Sequence, residues 1–168
     1  MNAPTGPVAP AVPSTIRTAV LLWTVALALY LVGQVLAVLL PPTAEDYAAY
    51  FRSLDLPADP QFLATVEDAS GTASVVGLAV TVVVVALFAW VGLKVRAGAH
   101  RARTATAILA ALGALGALAT GGTALVSPVP AAAGGFGTVL QVVSGLVLIA
   151  YLVFLFRRPS SEYFAARR

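Results

Sequence analysis

Four apolar runs dominate the pattern of hydrophobic and polar positions along the chain. None of them contains a charged side chain, and each is close to the roughly 20 residues that a helix needs to cross a hydrocarbon core. The runs cover residues 18–40, 73–93, 104–126 and 136–156. The alternating segments of about ten residues that mark a membrane β-barrel are absent from the sequence. The pattern therefore predicts an all-α fold, a transmembrane four-helix bundle.

The segments between the runs are more polar and predict how the chain is arranged around the bundle. Residues 1–17 carry prolines at a spacing of three, which predicts a disordered proline-rich tail. Residues 127–135 predict a short loop between the third and fourth spans. Residues 94–103 and 157–168 predict a basic loop and a basic tail.

The segment 41–72 is the one long connection, and it predicts an acidic loop with two short helices. Thr43 followed by acidic residues is typical of a helix N-terminus, where a hydroxyl caps backbone N–H groups and acids face the positive end of the helix dipole. Asp59 and Pro60 predict the N-cap and first residue of the second helix. The first helix carries an aromatic stripe formed by Tyr47, Tyr50 and Phe51. We expect it either to lie on the outer leaflet or cap the bundle, or to contact a partner or lipid.

Composition excludes an ordinary soluble domain and several kinds of chemistry. Apolar residues make up 60% of the chain and charged residues only 10%, whereas about a quarter of a soluble domain is charged. The chain has no cysteine, which excludes disulfides and thiolate metal ligands. The runs contain no Asp, Glu, His, Lys or Arg, although intramembrane transport and catalysis usually depend on such a residue. We predict no catalytic residue, no cofactor and no metal.

Charge also predicts the orientation. Six of the seven acids lie within residues 41–72, and nine of the ten bases flank the opposite ends of the runs. Because short basic segments stay on the cytoplasmic side, both termini are predicted to be cytoplasmic and the acidic loop external, in a bacterial inner membrane. The bases lie beside apolar runs and form no face for nucleic acid. Seven of them are candidates for contact with anionic inner-leaflet lipids: Arg17, Lys94, Arg96, Arg101, Arg103, Arg157 and Arg158.

Four polar side chains within the runs predict an intramembrane polar clamp. Gln34 and Gln141 lie at similar depths in the first and fourth runs, and an unpaired amide in hydrocarbon is costly. Thr81 and Thr120 lie at a comparable level in the other two runs. A substrate site is the alternative interpretation of these groups. We expect them to fix the register of the helices.

Small residues and tryptophans predict how the runs pack and where they end. The third run carries small residues at multiples of four positions, which favours close helix packing within the bundle or homodimerisation. These residues are Ala105, Gly113, Ala117 and Gly121. Trp23 and Trp90 lie near the ends of their runs and predict interfacial anchors.

Two short motifs on the basic side resemble those of small uncharacterised four-helix membrane proteins of actinobacteria. That group carries an R-x-G-x-x-W-A-R-like cytoplasmic loop, which corresponds here to residues 96–103, with Arg101 at the tryptophan position. It also carries a Ser-x-x-Tyr-Phe-like tail, matched here by Ser160, Tyr163 and Phe164. The resemblance implies a four-helix integral membrane architecture and no particular activity.

We therefore expect a non-enzymatic accessory or interaction subunit, with a protein partner or a second copy of the chain. One alternative is a small oligomeric transporter or channel. Another is a membrane enzyme that acts on lipid at the outer interface through the acids of the loop, namely Glu45, Asp46, Glu67 and Asp68.

Overall fold

A computed structural model describes residues 12–126 and 135–166 of the chain. These residues form six helices and no strand, as the all-α prediction requires. Most of the predicted proline-rich tail and of the 127–135 loop lies outside the described residues, as do Arg167 and Arg168. The helices, in chain order, are α1 (Ser14–Leu39), α2 (Ala44–Ser53), α3 (Pro60–Arg96), α4 (His100–Val126), α5 (Phe136–Phe156) and α6 (Arg158–Ala165).

Helices α1, α3, α4 and α5 are each long and apolar enough to cross a membrane. Helix α5 packs between α1 and α4, and α3 packs on the other side of α1. Helix α3 approaches α4 less closely than α5 does. We call the end of the bundle that carries α2 the hairpin end, and the end that carries α6 the tail end.

Small residues bring α4 and α5 close together. A Cβ atom built at Gly121 would lie 2.7 Å from Val142 Cγ2, and one at Gly113 would lie 3.1 Å from Leu148 Cδ1. Between these contacts, a Cβ at Gly145 would lie 3.3 Å from Ala117 Cβ. The predicted small-residue face therefore packs within the bundle for three of its four members.

Ala105, the fourth predicted member of that face, is exposed. It lies near the tail end of α4, where the neighbouring Thr106 is the buried residue instead. The prediction for Ala105 is therefore wrong, because the face of α4 that meets α5 does not continue to this position.

Helix α1 is held by side-chain to backbone bonds on two sides. The Ser144 hydroxyl of α5 donates to the Ala26 carbonyl at 2.9 Å, and the Trp23 indole N–H donates to the Phe88 carbonyl of α3 at 3.1 Å. Trp23 is only 2% exposed and its ring stacks on Phe88. The interfacial role predicted for Trp23 is therefore wrong, because the glycine at position 92 of α3 leaves room for the indole between the helices.

Helix α3 differs from the predicted arrangement. Asp59 caps it by accepting from the Gln61 N–H at 2.8 Å, as the Asp59-Pro60 pair predicts. The helix then runs for 37 residues into the membrane span, so the second short helix predicted in the loop is not a separate element. No glycine or proline interrupts the helix, because Gly71 is helical and α3 contains no proline other than Pro60. A helix of this length measures about 55 Å, whereas the hydrocarbon core is about 30 Å thick.

Candidate functional site

Helices α2 and α3 form a hairpin that projects from the bundle. Counted back from Leu93, about 20 residues of α3 fill the hydrocarbon core. The first 14 or so residues of α3 therefore extend about 20 Å beyond the core. Helix α2 packs along this projecting part. The hairpin joins the two helices through a short turn at residues 54–59.

A capping box fixes the start of α2. The Asp46 N–H donates to the Thr43 hydroxyl, and the Thr43 N–H donates back to Asp46 Oδ2 at 2.8 Å. Hydrogen bonds from the Thr43 backbone and hydroxyl lower the pKa of the Asp46 carboxyl, because they favour its charged form. The cap predicted at Thr43 is thus confirmed.

Two contacts tie α2 to α3. The Ala44 N–H donates to Glu67 Oε2 at 3.2 Å, and the Phe51 ring meets the Phe62 ring edge to face with centroids 5.7 Å apart. The first contact lies near the membrane end of the hairpin and the second near its tip. Together they fix the direction in which the hairpin projects.

The tip of the hairpin exposes large apolar side chains. Leu54, Leu56 and Phe62 are 47%, 48% and 51% exposed. By contrast, Tyr47, Tyr50 and Phe51, the predicted partner contact, are each half-buried. Leu54 continues the i, i+3, i+4, i+7 stripe that begins at Tyr47, whereas Leu56 lies outside it, so periodicity alone misses Leu56. The signal that finds both leucines is an apolar pair on either side of Asp55, in a turn that otherwise carries polar residues and proline.

The four residues of the predicted polar clamp fall into two places. Gln34 faces α3, with its Oε1 3.8 Å from the Cβ position of Gly77, and Thr81 of α3 is buried. Gln141 and Thr120 line one cavity between the helices. Among the hydrogen bonds of the described residues, none joins the two amides, and the Thr120 hydroxyl donates to the Gly116 carbonyl of its own helix. The clamp between Gln34 and Gln141 stays a prediction.

That cavity lies among all four spans and has a volume of about 440 Å³. Its walls are mainly apolar, and the polar side chains on them are Tyr30, Thr120, Gln141 and Ser144. A second cavity of about 350 Å³ lies between α1 and α3, on the side of Trp23.

The tail end gathers the basic side chains, and one of them differs from the rest. Arg17, Lys94, Arg96, Arg101, Arg157 and Arg158 are all exposed. Arg103 instead turns inward, where its Nη2 donates to the Ser161 hydroxyl at 2.8 Å and to the Leu155 carbonyl at 3.2 Å. Its guanidinium also lies 5.1 Å from the Phe164 ring centroid. Arg103 therefore holds the tail, and the lipid contact predicted for it stays a prediction.

Helix α6 folds back under the bundle and buries its motif residues. Ser160, Tyr163 and Phe164 are all buried. The Ser160 hydroxyl lies 2.8 Å from the Thr15 hydroxyl of α1. The Tyr163 hydroxyl donates to the Arg96 carbonyl in the basic loop at 3.5 Å. The loop and tail motifs that the sequence sets far apart therefore meet at the tail end.

The described residues make hydrogen bonds, apolar contacts and cation–π contacts at the two ends of the bundle. These residues contain no cluster of three or more His, Asp or Glu side chains able to hold a metal. Comparison with protein-family models, curated proteins and solved structures finds no match to the chain. The fold defines an all-α membrane protein of four spans that contacts lipid along its apolar helices.

Proposed function

We propose that this protein is a non-enzymatic interaction subunit of a bacterial inner membrane, and that its hairpin holds a partner protein outside the cytoplasm. The observation that carries the proposal is the apolar tip formed by Leu54, Leu56 and Phe62. Both termini lie in the cytoplasm in this arrangement, with the tail end facing the anionic inner leaflet.

The position of the tip supports a protein partner rather than lipid. The α3 helix carries the tip about 20 Å beyond the hydrocarbon core, where water surrounds its side chains. Contiguous apolar groups in water favour association, because burying them removes their surface from solvent. Lipid contact would require the same residues to lie at membrane depth.

The packing of the tail end supports this proposal over a channel that runs through a single copy of the chain; an oligomeric channel stays the alternative. Trp23, Tyr151 and Leu155 are buried there between the spans, and α6 lies beneath them with Tyr163 and Phe164 buried. A pore through one copy would have to pass this packed layer of aromatic rings.

Two of the four acids named for a lipid enzyme have structural roles instead. Asp46 is engaged in the capping box, and Glu67 accepts from the α2 backbone. An acid–base catalyst would have to give up these bonds, which favours an interaction subunit, whereas Glu45 and Asp68 are exposed.

The exposed bases support the orientation and the contact with anionic lipid. Six of them surround the tail end, and each base near an anionic leaflet contributes about 1 kcal/mol of attraction. We also propose membership of the small actinobacterial four-helix group, because residues of its two motifs contact each other at Arg96–Tyr163 and Arg103–Phe164.

Site-specific photo-cross-linking in native membranes tests the proposal. A photoreactive residue at Leu56 is expected to give one discrete adduct, which the Phe62→Asp change removes by making the tip polar. Ala69 provides the control, because it is exposed on the projecting part of α3 but lies away from the tip. Absence of an adduct at Leu56, or the same adduct at Ala69, would contradict the proposal.

A further inference from the structure

The cavity among the four spans lies at the depth of the hydrocarbon core. Gln141 is five residues from the start of α5 at Phe136, which places it about 7.5 Å below the end of that helix. Tyr30 is nine residues from the end of α1 at Leu39, about 13 Å deep. The lining continues to Ala26 and Leu148, about 20 and 18 Å from the same helix ends, so the cavity extends from the hairpin side of the core past its centre. Its volume of about 440 Å³ falls in the range of ligand sites, about 300–1,000 Å³.

Two of the polar groups on its wall are already engaged, and two are not. The Ser144 hydroxyl donates to the Ala26 carbonyl, and the Thr120 hydroxyl donates to Gly116. Within the described part of the chain, no hydrogen bond engages the Tyr30 hydroxyl or the Gln141 carboxamide. Because an unpaired amide is costly in an apolar medium, Gln141 favours an occupant that carries a hydrogen-bonding group.

The cavity opens sideways, toward the lipid. Gly116 and Thr120 of α4 line the cavity and are also exposed, so the wall is incomplete at these positions. Helix α3 lies opposite and approaches α4 only loosely. The absence of a side chain at Gly116 leaves the gap between them, and a Cβ atom built there would meet nothing within 4 Å.

We propose that this cavity binds a neutral lipid with one hydrocarbon chain, whose hydroxyl or carbonyl group bonds to Gln141. The chain matches the apolar wall and enters from the membrane through the gap at Gly116. The head is neutral because no charged side chain lines the cavity. The ester groups of phospholipids lie in the interfacial region outside the hydrocarbon core, above the depth of Gln141. A neutral head is able to reach that depth.

Quenching of tryptophan fluorescence tests the site directly. The chain has two tryptophans, so the Trp90→Phe variant leaves Trp23 as the sole reporter. Trp23 stacks on Phe88, with ring centroids 5.6 Å apart, and Phe88 lines the cavity. The full chain is placed in lipid nanodiscs, and dibromostearyl alcohol is titrated as the neutral single-chain probe. A second set of nanodiscs carries phosphatidylcholine with brominated chains and no alcohol.

Two substitutions on α4 separate the cavity from general lipid contact. Gly116→Leu directs a side chain into the open cavity without a clash, whereas Gly122→Leu adds the same side chain outside it, where a Cβ also meets nothing within 4 Å. The alcohol is expected to quench Trp23 saturably, Gly116→Leu to remove most of that quenching, and Gly122→Leu to leave it unchanged. Gln141→Leu is expected to raise the half-saturating mole fraction about fivefold, the effect of losing one hydrogen bond.

Each contrary result overturns part of the proposal. Equal quenching in the Gly116→Leu and parent proteins would show that the cavity holds no chain. An unchanged half-saturation in Gln141→Leu would remove the polar contact. If brominated phosphatidylcholine gave the same quenching, sensitive to Gly116→Leu, the occupant would be a phospholipid chain and the neutral lipid would be excluded. None of these results depends on the partner proposed for the hairpin tip.

Discussion

Single side chains close the tail end of the bundle, and Arg103 is the one with most partners. It binds the α5 carbonyl at Leu155 and the α6 hydroxyl at Ser161, and its guanidinium lies 4.9 Å from the Phe156 ring centroid. A planar guanidinium meets both acceptors and stacks on rings, whereas a lysine ammonium presents a compact charge. Charge alone is therefore insufficient at this position.

We predict that Arg103→Lys destabilises the protein although it keeps the charge. The loss of charge-assisted hydrogen bonds is expected to lower the free energy of unfolding by about 2 kcal/mol, measured by denaturation in detergent. Limited proteolysis should also cut α6 faster. Arg101→Lys is the matched control, because Arg101 is exposed. Equal stability of the two variants would contradict the role given to Arg103.

Sequence reasoning identified the type of residue at the tail end but not its contacts. Charge and position made Arg103 indistinguishable from its exposed neighbour Arg101. What separates them is the return of α6 beneath the bundle, a tertiary arrangement that no local pattern in residues 157–168 contains. The interfacial role predicted for Trp23 is wrong for a similar reason, since the space that its ring fills is created by Gly92 on another helix.

At the scale of elements, adjacent glycines of α4 have opposite surroundings. A Cβ at Gly121 would lie 2.7 Å from Val142 Cγ2, but one at Gly122 would meet nothing within 4 Å. Valine is restricted at χ1, so it has little freedom to move aside.

We predict that Gly121→Ala and Gly122→Ala change stability in opposite directions. The first overpacks the interface between α4 and α5 and should cost about 1–3 kcal/mol. The second restricts the unfolded chain and improves helix propensity, which should stabilise by up to about 1 kcal/mol. Unfolding of both variants in mixed detergent measures the difference. Similar shifts in both would show that α4 does not pack on α5 through Gly121.

The hairpin is predicted to loosen in acid through Asp46. Its pKa is lowered from 3.8 in the folded protein, so the cap contributes stability above that pH and loses it as pH falls through the lower folded value. Hydrogen–deuterium exchange should show that protection of the α2 amides is retained well above pH 3.8 and falls as the pH drops below that value. Asp46→Asn should show a smaller fall, because it removes this titration. The same fall in both proteins would contradict the capping box.

The sequence predicts most of the helices correctly, but not all of the residues at which they begin and end. Length and hydrophobicity located four spans, and the Thr43 and Asp59 caps set two helix starts. The sequence predicts a short helix separate from the second span, and this prediction is wrong. The polar stretch 64–74 indicates a loop, although its residues are compatible with a helix. Continuity of α3 matters for function, since it is what carries the tip away from the membrane.

At the scale of the whole molecule, the sequence predicts an all-α membrane protein but does not predict the cavity between its helices. The cavity arises because α3 meets α1 closely and α4 loosely, a difference in packing that spacing along one helix does not reveal. The small-residue pattern of α4 indicated close approach on one face, which α5 occupies. On the adjacent open face, Thr120 drew notice as a polar residue within a run, but nothing in the sequence indicates the gap at Gly116.

The central claim is that the hairpin stands in water outside the cytoplasm while the tail end lies within it. Because the chain has no cysteine, single cysteines at Ala69 and at Ala99, both exposed, report the two sides without background, and Ala69 lies away from the tip that the partner would cover. A membrane-impermeant maleimide applied to intact cells should label Ala69→Cys, and should label Ala99→Cys only after permeabilisation. Labelling of Ala99→Cys in intact cells, with Ala69→Cys protected, would contradict the account.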